Sequence, residues 1–122
     1  SEVIVWDQTE FDVRHSLITE RNVTGVICFS DTLAGQLLDA CLEQGVQVPS
    51  ELSVIGFDSS PFCERTQPKL TSINQPVEEM VGLATKHLLS LIRDTNEGST
   101  SKPGISFLFD CGLDVRESTA PV

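Results

Sequence analysis

Twice in this chain a short apolar run ends in a carboxylate. Leu52-Ser53-Val54-Ile55-Gly56-Phe57 runs into Asp58, and Val26-Ile27-Cys28-Phe29 runs into Ser30-Asp31, where a helical pattern begins at once. Apolar runs this short, bounded by turn residues and followed by helical periodicity, predict buried strands joined by crossover helices. That combination predicts an α/β fold with a doubly wound, mostly parallel sheet. Ligands of open α/β sheets bind outside the carboxyl ends of the strands. Ser30, Asp31, Phe57 and Asp58 are therefore candidates for holding a polar ligand. The same residues also fit a purely local role, with Ser30 and Asp31 capping a helix and Asp58 occupying a turn.

The rest of the chain fits this alternation. Residues 2–6 predict a strand and residues 9–22 a helix with Phe11, Leu17 and Ile18 on one weakly amphipathic face. Residues 24–29 are the second strand. Residues 32–44 form a helix carrying Leu33, Leu37, Ala40 and Cys41, with Leu38 and Leu42 beside them, and Gly45 stops it. So wide an apolar face predicts burial on two sides. After the third strand, residues 59–69 are polar and hold Pro61 and Pro68, which predicts a loop or a single helical turn before a fourth strand at 70–74. Pro76 then opens a helix, where its missing N–H costs nothing, and Glu78 and Glu79 complement the helix dipole. An apolar stripe from Val77 through Met80, Val81, Ala84, Leu88 and Leu91 to Ile92 carries that helix to about residue 93. Residues 94–104 read as a flexible connection. Residues 105–109 and 113–117 read as two strands, and the three residues between them allow only a hairpin or one bent strand.

Charge and cysteines narrow the functional classes. Eight basic residues face eighteen acidic ones, a net charge of −10. Phosphate-backbone binding draws its affinity from clustered cations, so nucleic acid is not expected to touch this segment. No apolar run reaches membrane-helix length and no basic-then-apolar leader opens the chain, which predicts a cytoplasmic protein without membrane contact. Cys28, Cys41, Cys63 and Cys111 lack metal-binding spacing and are expected to be buried thiols. No metal or cofactor is expected. His15 and His87 lie on predicted helices with no nucleophile motif near them, and paired acids such as Asp31 and Asp58 would need a labile bond to act on. The chain reads as a non-enzyme.

The ordered motifs say more. Thr24-Gly25-Val26-Ile27-Cys28-Phe29-Ser30-Asp31-Thr32-Leu33-Ala34-Gly35, then Gly45-Val46-Gln47-Val48-Pro49-Ser50-Glu51 and the run to Asp58, resembles the effector-binding domain of LacI/GalR-type bacterial transcription regulators. Residues 68–76 are similar to the family's crossover into its last helix, and residues 115–121 to its C-terminal signature. The resemblance implies a periplasmic-binding-protein-like fold and the C-terminal part of the effector-binding domain. Residues 1–74 would be the core of the C-terminal lobe. Residues 75–110 would be a helix and strand that pack with the N-terminal lobe, and residues 111–122 the return strand and tail. The N-terminal lobe and helix-turn-helix would lie outside this chain.

Residue by residue, the resemblance makes Asp58 the acid that binds ligand hydroxyls. Ser30 takes a position often held by a ligand-contacting Asn, with one hydroxyl in place of an amide's donor and acceptor. Gln8 falls where many members place an aromatic that stacks on the effector, and Gln75 sits at a crossover from which it reaches the cleft. Residues 32–44 and 59–67 correspond to a dimer-forming surface. The implied function is sensing of a small-molecule effector, a sugar or nucleoside-like ligand, by a homodimer that binds operator DNA through the N-terminal domain. A sugar-binding protein for transport or chemotaxis, with the same fold, is the alternative.

Overall fold

The structure, a computed structural model, describes residues 12–96 and 104–121. The strand expected at residues 2–6 and Gln8 lie outside the described residues. In chain order the elements are a π-helical turn Arg14–Thr19, β1 (Gly25–Ile27), α1 (Asp31–Glu43), β2 (Ser53–Phe57), a 3-10 turn Pro61–Glu64, β3 (Thr71–Asn74), α2 (Val77–Asn96) and β4 (Gly112–Asp114). The strands form one open sheet in the order β1-β2-β3-β4. β1 pairs with β2, and β2 with β3, in parallel, with Val26 opposite Val54 and Ile55 opposite Thr71. This is the mostly parallel α/β sheet that the alternating motifs predict.

Local chemistry sets the bounds of α1. The Ser30 hydroxyl accepts the Leu33 N–H at its start, Asp31 lies in its first turn, and Gly45 turns the chain away with φ of 67°. Ala34, Leu37, Leu38 and Cys41 are buried on the side that packs against β2, whereas Leu42 stays exposed. The helix is thus buried along one side, narrower than its sequence pattern predicts. Its core includes Val13 and Leu17 from the first helical turn, Leu52 and Val54 around β2, and Cys63 and Leu70.

The chain divides into two compact units. One carries β1 to β3 and the residues from Leu113 onward; the other is Gln75–Gly112. Within the second, Pro76 O accepts the Met80 N–H at 3.0 Å at the start of α2. The rings of His87 and Phe107 meet edge to face with centroids 6.1 Å apart.

Three expectations are corrected. Of the helix expected over residues 9–22, residues 9–11 lie outside the described residues, and the rest holds a π-helical turn at Arg14–Thr19, with the Asp12 carboxylate accepting the His15 N–H ahead of it and Asn22 at φ 51° after it. Residues 105–109 form no strand, since their backbone joins no ladder, and β4 instead begins at Gly112, inside the stretch expected to link two strands. Cys28, Cys41 and Cys63 are buried, but Cys111 is exposed because the segment leading into β4 is irregular and packs little around it.

Candidate functional site

Parallel pairing brings the exits of three strands to one edge of the sheet. The Cys28 N–H donates to Ile55 O at 2.8 Å, and the Asp58 N–H donates to Ile73 O at 2.9 Å. Ser30, Asp58 and Asn74 therefore leave their strands at matching register positions. Asp58 and Asn74 are exposed, Ser30 and Phe57 are half-buried, and Phe29 beside Ser30 is 81% exposed. Ser30 spends its oxygen on the Leu33 N–H at 3.2 Å, so the capping role read from sequence holds for it; its hydroxyl proton is a separate donor.

Asp31 faces the other way. It is buried, its Oδ2 accepts the Ser60 N–H at 2.7 Å and its Oδ1 accepts the Ser72 hydroxyl at 2.5 Å. Burial pushes its carboxyl up, but hydrogen bonds from Ser72, Ser60 and Cys63 outweigh that and hold it below the usual carboxylate range. The neighbour that makes room is Gly56, where any Cβ would land on Asp31 Oδ1. Asp31 thus braces the turn behind the sheet edge instead of presenting its oxygens at it.

The turn after β2 is unusual. Asp58 and Ser59 are consecutive residues with side chains at positive φ, 102° and 46°. The Ser59 N–H donates to Ser72 Oγ at 3.0 Å and its hydroxyl donates to Asp114 Oδ2 at 2.5 Å, an oxygen that also accepts Asn74 Nδ2 at 3.2 Å. Arg116 adds a guanidinium to this cluster, with Nη2 3.3 Å from Ser59 Oγ, Nη1 donating to Leu70 O at 2.9 Å and Nε donating to Glu64 Oε1 at 2.6 Å. Glu64, bonded by Arg116 and by Lys69, titrates below its ordinary range. Sequence reasoning missed this cluster. The signal it had was an arginine between two acids in the tail, Asp114 and Glu117, followed by Ser118 and Thr119.

Of the residues expected to bind a ligand, Asp58, Ser30 and Phe57 come to one sheet edge, and Asp31 lies behind it. Gln75 follows β3, is half-buried, and its carbonyl accepts the Val77 N–H at 2.8 Å in the second unit. Among the described residues no group of three His, Cys, Asp or Glu is placed to hold a metal ion. Burial pushes the thiols of Cys28, Cys41 and Cys63 up to about 11, so at neutral pH they hold their protons and are poor nucleophiles. No helix among the described residues is long and apolar enough to cross a membrane.

Comparison with known proteins places these features in context. Residues 2–119 match the model of the periplasmic binding protein-like domain. The chain is 39% identical over 105 residues to the HTH-type transcriptional regulator MalR of Streptomyces coelicolor, covering 86% of this chain and 29% of that one. It therefore spans under a third of that relative's length. Among solved structures, the transcription regulator CcpA of Lactococcus lactis superposes with a TM-score of 0.69 at 30% identity, covering 84% of this chain and 36% of that one. A LacI family transcriptional regulator from Lactobacillus casei with bound glucose superposes with a TM-score of 0.61 at 29% identity, covering 79% of this chain and 32% of that one.

Proposed function

Because the chain belongs to the periplasmic binding protein-like family, with LacI-type transcription regulators as its relatives, we propose that it is the effector-sensing part of such a regulator. The observation that carries the reading is the exposed Asp58 carboxylate at the carboxyl end of β2, beside Ser30 at the end of β1. A carboxylate accepts hydrogen bonds from two neighbouring hydroxyls, which suits a sugar or the ribose of a nucleoside. Ser30 donates its hydroxyl proton from the adjacent strand end, and Phe57 supplies apolar surface for a ring face. Gln75 and Gln8 take their roles from the family resemblance alone. Asp31 is left out of the contact set because its oxygens are engaged by Ser60 and Ser72.

Sensing in this way needs no bond making, and the chain acts by binding. The ligand favours one arrangement of the regulator over another, and operator affinity changes through that difference. The acidic balance of the chain leaves operator contact to the N-terminal part of the regulator. We assign the regulator to the cytoplasm, where its DNA is. We further assign the outer side of α1 and the 3-10 turn to a homodimer contact, since Leu42 is exposed and the half-covered Phe62 ring lies over Gly35 with no room for a Cβ beneath it.

Calorimetric titration of the intact regulator with monosaccharides, disaccharides and nucleosides tests the anchor. The ligand that binds the wild type is expected to bind Asp58→Asn about 10- to 100-fold more weakly, the worth of a charged hydrogen bond of roughly 1.5–3 kcal/mol. Equal affinity for both proteins overturns the assignment.

A further inference from the structure

We propose that Arg116 is a positioning residue that holds the Asp58–Ser59 turn in its ligand-ready shape, an inference that rests on the reading of Asp58 as the ligand anchor. Two adjacent residues with side chains at positive φ occupy a sparsely populated region, and such a backbone persists only where its surroundings over-determine it. Three backbone donors of the turn are fixed from β3 and the start of α1: Asp58 N–H on Ile73 O, Ser59 N–H on Ser72 Oγ and Ser60 N–H on the Asp31 carboxylate. A further hold is on the Ser59 side chain. Its hydroxyl donates to Asp114 and lies against Arg116 Nη2, so the residue next to the anchor is clasped by an acid and a base of the return segment.

The shape of the guanidinium is what makes this clasp work. Arg116 is 16% exposed and reaches three parts of the fold at once, with Nε on Glu64 of the 3-10 turn, Nη1 on the carbonyl of Leu70 ahead of β3, and Nη2 on Ser59. A lysine ammonium is a point charge that satisfies one of these positions and leaves the others. The ion pair with Glu64 does not explain the placement by itself, because Glu64 is 53% exposed and surface pairs of that kind contribute little. The backbone of Arg116 is anchored independently, its N–H donating to Thr71 Oγ1 at 2.8 Å, so the guanidinium is delivered to the turn from a fixed base. Fixing Ser59 fixes the direction in which the preceding carboxylate leaves the sheet, which lowers the ordering cost of ligand binding.

Hydrogen exchange at residue resolution on the intact chain, without ligand, tests this. Arg116→Met and Arg116→Lys are each expected to accelerate exchange of the Ser59 and Ser60 amides about 10-fold or more, while the Cys28 and Ser53 amides, bonded to Ile55 O and Thr24 O between the β1 and β2 segments, change less than about twofold. Glu64→Gln is expected to leave all four unchanged. Four results overturn the proposal: Ser59 and Ser60 amides already unprotected in the wild type, no acceleration in the Arg116 variants, acceleration equal at all four amides, or full protection retained by Arg116→Lys. Should Arg116→Met fail to fold, Arg116→Lys decides alone. The readout needs no ligand, so its failure is distinct from a failure of the Asp58→Asn titration.

Discussion

Gly56→Ala is expected to destabilise the protein by about 3 kcal/mol or more, a large share of the 5–15 kcal/mol that holds a domain folded. The added methyl would lie on Asp31 Oδ1, 2.9 Å from Leu70 Cδ2 and 3.3 Å from the Asp31 backbone. None of these neighbours is the loose end of a flexible side chain. Asp31 is tied to Ser60 and Ser72, and Leu70 is fully buried. Relief therefore requires α1 to move away from β2 or the buried carboxylate to lose partners, and either adds to the roughly 1–3 kcal/mol of ordinary overpacking. Denaturant titration checks it. A midpoint unchanged from wild type would mean that the close approach of α1 to β2 at this point is not as described.

Asp31→Ala is expected to cost about 3 kcal/mol at neutral pH, since it strands the half-buried N–H of Ser60 and the buried Ser72 hydroxyl at about 1–3 kcal/mol each. The pH dependence has a defined sign. The folded carboxyl titrates below its unfolded value, so the stability it contributes as an ion is fully present above the unfolded value near 3.9 and is lost as pH falls through the lower folded value. The gap in unfolding midpoint between wild type and Asp31→Ala is thus expected to be wide at pH 7 and to narrow as pH falls below about 4. A gap equally wide at both ends of that range would show that the ionised form is not what the site stabilises.

Gly56 and Asp31 also mark where the sequence stopped being readable. The short apolar run Leu52 to Phe57 is a local signal, and β2 forms within it. The start of α1 is equally local, because Ser30 needs only the amide three residues on to act as a cap. The direction of Asp31 is not local. Its partners Ser60 and Ser72 lie 29 and 41 residues away, and no spacing rule separates an acid that turns into the core from one that faces a ligand. Arg116 was hidden for the same reason, with Ser59, Glu64 and Leu70 at separations of 57, 52 and 46 residues. At residues 105–109 the apolar alternation has the look of a strand, but a strand needs a partner edge, and Phe107 instead meets the ring of His87. Asp58 was legible as a residue past the end of a strand; the positive φ that shapes its turn was not, since neither it nor Ser59 is a glycine.

Operator binding by the intact regulator, followed by fluorescence anisotropy with and without saturating ligand in wild type and Asp58→Asn, bears most directly on the proposed function. Ligand is expected to shift the wild-type operator affinity by about 10-fold. Without ligand, Asp58→Asn is expected to bind the operator as the wild type does, and at a ligand concentration that just saturates the wild type it is expected to show a clearly smaller shift. A shift of equal size in both proteins, or none in the wild type, would contradict effector sensing through this strand end.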